Sequence, residues 1–439
     1  MKTKQQKNDE PIIKYFIEGQ QDEDNLFKLS TKDKNIQFCG FFLSNVEDQA
    51  GAKKEEPVVI FPKKYPIADN KDFVSIKTAA KLLLDTFRYY RYRRDNTSGW
   101  RKRATGTDKE ILAVSIKIDN ILAILEDFKE NGYLHRKHRV ISQTKPGRIM
   151  WNKTIQKSES VISHRQIFYP TPYMVSNVRH DEEMVQKIHR HLVWKLVKDW
   201  GWLTDISVNL PEEAEPCSVK EAKRILIQEL SNCFIQREID LLRRMINYYE
   251  NQGNENANPK EDFLLTGEFE QIWENVCSYV LHNDYNQLKD DIPKANYEGI
   301  GEIKPWSQIP DILCQPNKKL YILDAKYYAF PEKQPGWGDM CKQFVYAFSL
   351  SHVAENGKTK FDIKANALLF PGNEKVTADK PWKYYGEAKF EELPEFGKVQ
   401  LWSLNVKDML EAYVGKKNFP VAEFFKELEK IGCSCESVE

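Results

Sequence analysis

Two acidic residues and a lysine, Asp311, Asp324 and Lys326, lie in the stretch PDILCQPNKKLYILDAKYY (310–328) at a spacing that can do chemistry. QPNKK separates two apolar runs and carries Pro316 and Asn317, the pattern of a β-hairpin. A two-residue turn centred on Asn317-Lys318 sets Pro316 opposite Lys319, Cys314 opposite Tyr321, and Asp311 directly opposite Asp324. Residues so paired share a face, with Cβ atoms roughly 5 Å apart. Lys326 follows Asp324 by two and joins that face, while Ala325 points away. Like charges facing each other destabilise a sheet, and Ile312, Leu313, Ile322 and Leu323 predict buried strands. The two carboxylates must then share a proton, take a cation partner or bind a metal. Oxygen ligands suit Mg²⁺, which usually takes one or two protein carboxylates and completes its shell with waters and phosphate oxygens. A lysine beside them can polarise an attacking water or steady developing phosphate charge. The combination points to metal-assisted phosphodiester hydrolysis. The plainer alternative is a surface hairpin whose Asp, Asp and Lys form an ordinary ion cluster.

Such residues need elements to position them. Before the hairpin, LLTGEFEQIWENVCSYVLHN reads as a helix that buries Phe269, Ile272, Trp273, Val276 and Val280. Glu270 and Glu274 are four apart on the adjoining face, so one of them can project toward the hairpin. After it, GWGDMCKQFVYAFSL is a helix with Asp339, Gln343, Tyr346 and Leu350 on one stripe. KANALLFPG (364–372) and KVQLWSLNV (398–406) are strands, and a helix closes the chain near Ile431. This order predicts an α+β fold with a small central mixed sheet flanked by helices.

The N-terminal half reads as a mixed β/α region. Residues 1–35 are polar and predict weak packing. IQFCGFFLS and EPVVIFP read as a hairpin, ended by Pro62. A helix beginning near Ser75 runs into the densest basic cluster of the chain: Arg88, Arg91, Arg93, Arg94, Arg101, Lys102 and Arg103, interleaved with Tyr89, Tyr90, Tyr92 and Trp100. Arginine forks match phosphate oxygens and aromatic faces stack on bases, so DNA is one partner for this cluster. An acidic groove on a protein, or plain solvation of a helix end, fits the same residues. Thr107-Asp108-Lys109-Glu110 is a capping box opening a helix that Asn131-Gly132 ends. In GRIMWNKTI (147–155), Trp151 reads as core. In the helix after Asp181, Val185, Ile188, Leu192 and Leu196 form the core stripe, which leaves His189 and His191 off it. A Gly/Asn/Pro-rich linker covers 251–262. The expected domains are 1–170 (partner or DNA engagement), 171–260 (a helical connector) and 261–439 (the catalytic region).

Bulk properties narrow the class. The 439 residues hold 65 Lys+Arg against 65 Asp+Glu, so only a local patch can attract a polyanion. No leader-like or membrane-length apolar run occurs, which predicts a cytoplasmic protein away from membranes. The eight cysteines are scattered and several sit in apolar patterns, as expected of reduced, buried thiols. Cys433 and Cys435 have no second pair or nearby His to complete a zinc site.

Pro310-Asp311 followed by Asp324-Ala325-Lys326, between an acidic helix and a Gln-bearing one, resembles the PD-(D/E)xK nuclease superfamily. PDIL and ILDAKYY look like the McrC component of GTP-dependent restriction systems, and the wider pattern is similar to the McrC-like LlaJI restriction endonuclease family. VVIFPKKYP (58–66), NGYLHRKHR (131–139), GRIMWNKTI, FEQIWENV (269–276) and GDMCKQFVYA (338–347) support it. The resemblance implies that Asp311 and Asp324 hold Mg²⁺, with Mn²⁺ able to substitute, and that Lys326 assists the attacking water. Glu274 would be the acid of the preceding helix, with Glu270 the other candidate, and Gln343 would line the site. RecB-type relatives place a Tyr four residues after that Gln, whereas Tyr346 follows by three. The resemblance also implies double-stranded DNA as substrate and a separately encoded McrB-like AAA+ GTPase, since this chain has no G-x-x-x-x-G-K-[ST] loop and would bind no nucleotide itself. A double-strand cut needs two active sites or one used twice, which makes dimerisation on DNA one expected arrangement. Two other functions share these features: a non-catalytic adaptor joining a AAA+ motor to DNA, and a DNA repair nuclease.

Overall fold

The computed structural model describes residues 13–21, 35–47, 53–67, 72–96, 108–134, 137–144, 147–179, 183–204, 206, 210–250, 264–295, 306–355, 358–377 and 379–432. The fold is α+β. The chain divides into two units, one made of residues 1–116 with 258–439 and the other of residues 117–257. These boundaries differ from the sequence-based division at 170 and 260, and strand pairing gives the reason. In the first unit, β1 (Lys14–Ile17) runs parallel to β3 (Lys53–Phe61), and β2 (Cys39–Glu47) pairs antiparallel with β3. The fourth strand of this sheet, β4 (Leu264–Thr266), comes from the second half of the chain and sets Thr266 against Cys39. The N-terminal sheet is thus completed by a strand that follows the second unit in sequence.

The expected β2–β3 hairpin forms, and Pro62 follows its last residue. Within residues 1–35, which predict partial disorder or weak packing, β1 forms a strand. KYFI is too short for a periodicity signal and becomes a strand only by lying along Val58–Phe61. Helix α1 (Phe73–Asn96) buries Ile76, Ala80, Leu83, Phe87 and Tyr90.

The main sheet in the rest of this unit has five strands, in the order β5 (Ile312–Cys314), β6 (Lys319–Ala325), β7 (Asp362–Gly372), β9 (Lys398–Asn405), β8 (Trp382–Lys389). The three inner strands are parallel to one another and the two outer pairs are antiparallel. β8 has no counterpart among the strands read from the sequence. Its half-exposed, Gly386-interrupted pattern hides it, since a bulge between Tyr384 and Gly386 breaks the alternation. A parallel β6–β7 pair needs a long crossover, and α3 (Trp337–Ser351) lies within it. LYIL in β6 is a continuous apolar run because helices cover both faces of the strand. Leu320 and Ile322 pack with Ala347 and Leu350 of α3. On the sheet, Leu368, Phe370 and Val399 pack with Phe330 and Phe344. Helix α2 (Phe269–Val280) buries Phe269, Ile272, Trp273, Val276 and Val280, the five residues read from its periodicity. Helices α4 (Val406–Tyr413) and α5 (Val421–Ile431) close the described chain.

The second unit begins within the helix Asp108–Asn131 and holds a three-stranded sheet, a short hairpin and the helices Met184–Thr204, Val219–Ser231 and Gln236–Glu250. Two expectations are corrected in it. Trp151 is 56 % exposed, because the seven-residue helix Trp151–Lys157 buries only Thr154. His189 is fully buried and its Nδ1 accepts the Leu134 N–H at 3.0 Å, so the core face is wider than the Val185–Leu196 stripe. The 251–262 linker, Cys433 and Cys435 lie outside the described residues. Among the described residues, Cys39, Cys233, Cys277 and Cys314 are buried free thiols, and no helix is long and apolar enough to cross a membrane.

Candidate active site

The hairpin folds in the register counted from its sequence. Ile312 faces Leu323, Leu313 faces Ile322 and Cys314 faces Tyr321. One step beyond this ladder, Asp311 lies beside Asp324, close enough for a side-chain hydrogen bond between them. The reversal passes through Asn317 and Lys318, both left-handed at φ 54° and 64°. Asparagine tolerates that region better than most residues.

Alternation along β6 puts Leu320, Ile322 and Asp324 on the α3 side, and the Lys326 amine stays on it. Its Nζ lies 2.6 Å from Asp324 Oδ2 and 3.5 Å from Asp339 Oδ1. Asp339 in turn accepts the Tyr328 hydroxyl at 2.9 Å. Asp324 is only 7 % exposed. Burial, followed by the charges of Asp324 and Glu274, pushes the Asp311 carboxyl far above the ordinary carboxylate range, and Lys326 opposes this. Burial works against the Lys326 ammonium. Asp324, Asp311 and Asp339 outweigh it and raise its pKa above the usual lysine value.

The backbone around Asp311 is held by the turn that follows α2. Asn283 Nδ2 donates to the Asp311 carbonyl at 2.8 Å, and Asn283 Oδ1 accepts the Leu313 N–H at 3.0 Å. Asp284 accepts the Gln315 N–H at 2.8 Å. The Tyr346 hydroxyl donates to the Ile309 carbonyl at 3.3 Å, so this tyrosine braces the segment leading to Asp311.

Of the two candidate glutamates, Glu274 is half-buried and its charge reaches Asp311, while Glu270 is exposed and acts on Glu18 and Tyr328. Gln343 is buried with its Nε2 between the Ile322 and Ala367 carbonyls, at 3.2 and 3.3 Å, and so ties α3 to both central strands. Asp339, Tyr328 and Asn283 were not among the site residues read from the sequence. Asp339 lies one turn before Gln343 on the same stripe and Tyr328 two residues beyond Lys326, so spacing carried a signal for both. Asn283 acts by a contact no local pattern encodes.

The donor set fits a hard divalent cation: carboxylate oxygens from two facing strands, with a third acid on the adjoining helix. Among the described residues no three His, Cys, Asp or Glu side chains already form a metal-holding group. Mg²⁺ asks less, since one or two protein carboxylates suffice when waters and phosphate oxygens complete its shell.

The basic cluster divides. Arg88, Arg91, Arg93 and Arg94 fall on α1, while Arg101, Lys102 and Arg103 lie outside the described residues. Arg93 is turned into the protein. Its guanidinium carbon is 3.1 Å from the Tyr279 ring centroid and 4.4 Å from that of Tyr413, and Nη2 donates to the Tyr413 carbonyl at 2.9 Å. That arginine joins α1 to α2 and α4.

Comparison with solved structures finds similarity to the assembly of Thermococcus gammatolerans McrB AAA+ hexamers with bound McrC, at 13% identity and TM-score 0.36, covering 94% of this chain and 90% of that one. The cryo-EM structure of the Thermococcus gammatolerans McrBC complex is similar at 12% identity and TM-score 0.21, over 53% of this chain and 68% of that one. Comparison with curated proteins gives no match. The family model of the LlaJI restriction endonuclease matches residues 52–407, a span that includes the whole Asp311–Asp324–Lys326 site, and the chain belongs to that family.

Proposed function

We propose that this chain is the Mg²⁺-dependent DNA endonuclease subunit of a McrBC-like, GTPase-dependent restriction system, with a PD-(D/E)xK nuclease core. The observation that carries the proposal is Asp311 beside Asp324 at the end of the hairpin, with the Lys326 amine 2.6 Å from Asp324. Asp311 and Asp324, with Glu274 beside them, are the residues that would hold the ion. An Mg²⁺ ion held by these carboxylates would supply Lewis-acid activation of an attacking water and charge stabilisation at the phosphate. Lys326, kept protonated by its acidic neighbours, serves as a donor that orients the water and steadies a phosphate oxygen. Asp339 and Tyr328 hold the lysine at that post. Gln343 acts as a positioning residue, fixing α3 against the strands that carry the site.

The substrate is double-stranded DNA. The nucleotide-driven step belongs to a McrB-like AAA+ GTPase, which the family's likeness to McrC implies for a chain with no phosphate-loop motif of its own. Plasmid cleavage with Mg²⁺ and such a GTPase tests the proposal. Wild type cuts, Asp324→Ala and Lys326→Ala do not, and both variants, though less stable, remain folded by circular dichroism under assay conditions and bind the GTPase. Normal cutting by either variant removes this site from the mechanism.

A further inference from the structure

Tyr327, the residue after Lys326, is buried at 7 % exposure, and its hydroxyl meets Glu18 and Lys63 of the N-terminal sheet rather than the carboxylate pair. Its hydroxyl accepts the Lys63 backbone N–H at 2.8 Å and donates to Glu18 Oε2 at 2.7 Å. The Lys63 amine closes the group. It lies 3.2 Å from Glu18 Oε1, 3.5 Å from the Tyr327 carbonyl and 4.3 Å from the centroid of the Tyr327 ring. Glu18 directly follows β1 and Lys63 comes two residues after β3, so both strand ends of the N-terminal sheet converge on one tyrosine. On its other side the Tyr327 ring packs against Phe269, the first residue of the helix that carries Glu274, with centroids 5.4 Å apart.

Several features separate this group from an ordinary surface ion pair. Glu18 is 8 % exposed. Burying an ion pair costs desolvation that its attraction often only balances, so such a pair is weak evidence for stability and better evidence for a defined geometry. The turn that presents the Lys63 N–H has Lys64 at φ 59°, a conformation usually left to glycine. The Tyr65 N–H to Pro62 carbonyl bond, at 3.1 Å, and the exposed Lys64–Glu332 pair, at 2.7 Å, hold that turn. None of these groups reaches the carboxylates, yet they fix both elements that converge on them. The Lys326 backbone is gripped from one side by its N–H bond to Leu369, 2.9 Å, and from the other by Tyr327.

We infer that Glu18, Lys63 and Tyr327 form a buried clamp by which the N-terminal sheet sets the position of Lys326 and of the Glu274 helix. They are positioning residues, and this role rests on the reading of Lys326 and Glu274 as site residues. The VVIFPKKYP stretch thus belongs to the catalytic apparatus by contact, although it lies more than 250 residues away in sequence.

The test compares full-length wild type with Tyr327→Phe, which keeps the ring on Phe269 and removes only the hydroxyl. Hydrogen exchange is followed over 319–328 and 269–280, alongside single-turnover cleavage and DNA affinity. The expected result is exchange at least about tenfold faster in both segments and not elsewhere in the sheet. Cleavage slows roughly tenfold to a hundredfold, the scale of a 1 Å misplacement, with DNA affinity unchanged. Lys63→Met, which keeps the main-chain bond to Tyr327, shows a smaller change of the same pattern, and Lys63→Arg restores wild-type behaviour. Exchange equal to wild type in both segments overturns the inference, and so does a rate loss matched by an equal loss of DNA affinity. A wild-type chain that cuts no DNA, with a Tyr327→Phe variant that still loosens both segments, sinks the nuclease reading and leaves the clamp standing.

Discussion

At the scale of single residues, the site is an electrostatic problem solved in two ways. Asp324 is neutralised by Lys326 at 2.6 Å, while Asp311 holds its proton well above the ordinary carboxylate range because it is buried beside Asp324 and Glu274. A carboxyl that binds its proton more tightly folded than unfolded makes stability fall as pH rises from the unfolded value, about 4, toward the raised folded one. The metal-free protein is therefore expected to lose stability across the weakly acidic and neutral range. Asp311→Asn flattens that slope in denaturant titrations at several pH values, and Mg²⁺ restores wild-type stability at the upper end. An unchanged slope in Asp311→Asn refutes the assignment. Lys326→Met removes the cation beside a carboxylate only 7 % exposed. The loss of one partner of a buried pair costs about 3–5 kcal/mol, and the Lys326→Met, Asp324→Asn double variant recovers most of it. The register that brings the aspartates together was countable from PDILCQPNKKLYILDAKYY, because a tight turn leaves few pairings. The choice of Glu274 over Glu270 was not, since both lie on one helix face and only the packing of α2 decides which carboxylate turns toward Asp311.

Elements position these residues through a few polar contacts. Gln343 is the clearest, donating to carbonyls of two parallel strands from within the core. Gln343→Leu is expected to cost about 1–3 kcal/mol, the range for lost buried hydrogen bonds, and to slow cleavage without changing DNA affinity. Calorimetry and single-turnover assays check the two halves of that statement. On α1 the arginines are predicted to separate. Arg93→Ala lowers stability by roughly 1–3 kcal/mol through its aromatic stack and hydrogen bond, and leaves the salt dependence of DNA binding unchanged. If Arg88 and Arg91 meet phosphates, replacing both with alanine lowers the slope of log affinity against log salt by about two. An Arg93→Ala variant with wild-type stability and a reduced slope contradicts the division. Composition marks a basic cluster, but it cannot say which guanidinium turns inward, because Tyr279 and Tyr413 come from distant parts of the chain.

For the whole molecule, β4 pairing with β2 ties residues 264–266 into the N-terminal sheet, and the five-stranded sheet belongs to the same unit. A fragment of residues 258–439 leaves Leu264–Thr266 unpaired and uncovers Phe269 and Tyr327, and is expected to be insoluble or molten by circular dichroism. A sharp cooperative melt of that fragment contradicts the shared core. The sequence by itself determined the helices and strands with strong periodicity and the hairpin register, and it marked two aspartates and a lysine whose opposed charges need a partner. Those features follow from local spacing and from the cost of opposed charges. The tertiary structure alone decided the domain boundaries, the short strand at Lys14–Ile17, the fate of Arg93 and the clamp on Tyr327. Each of these is a contact between segments far apart in the chain, and its free energy comes from burial and pairing that no local window contains.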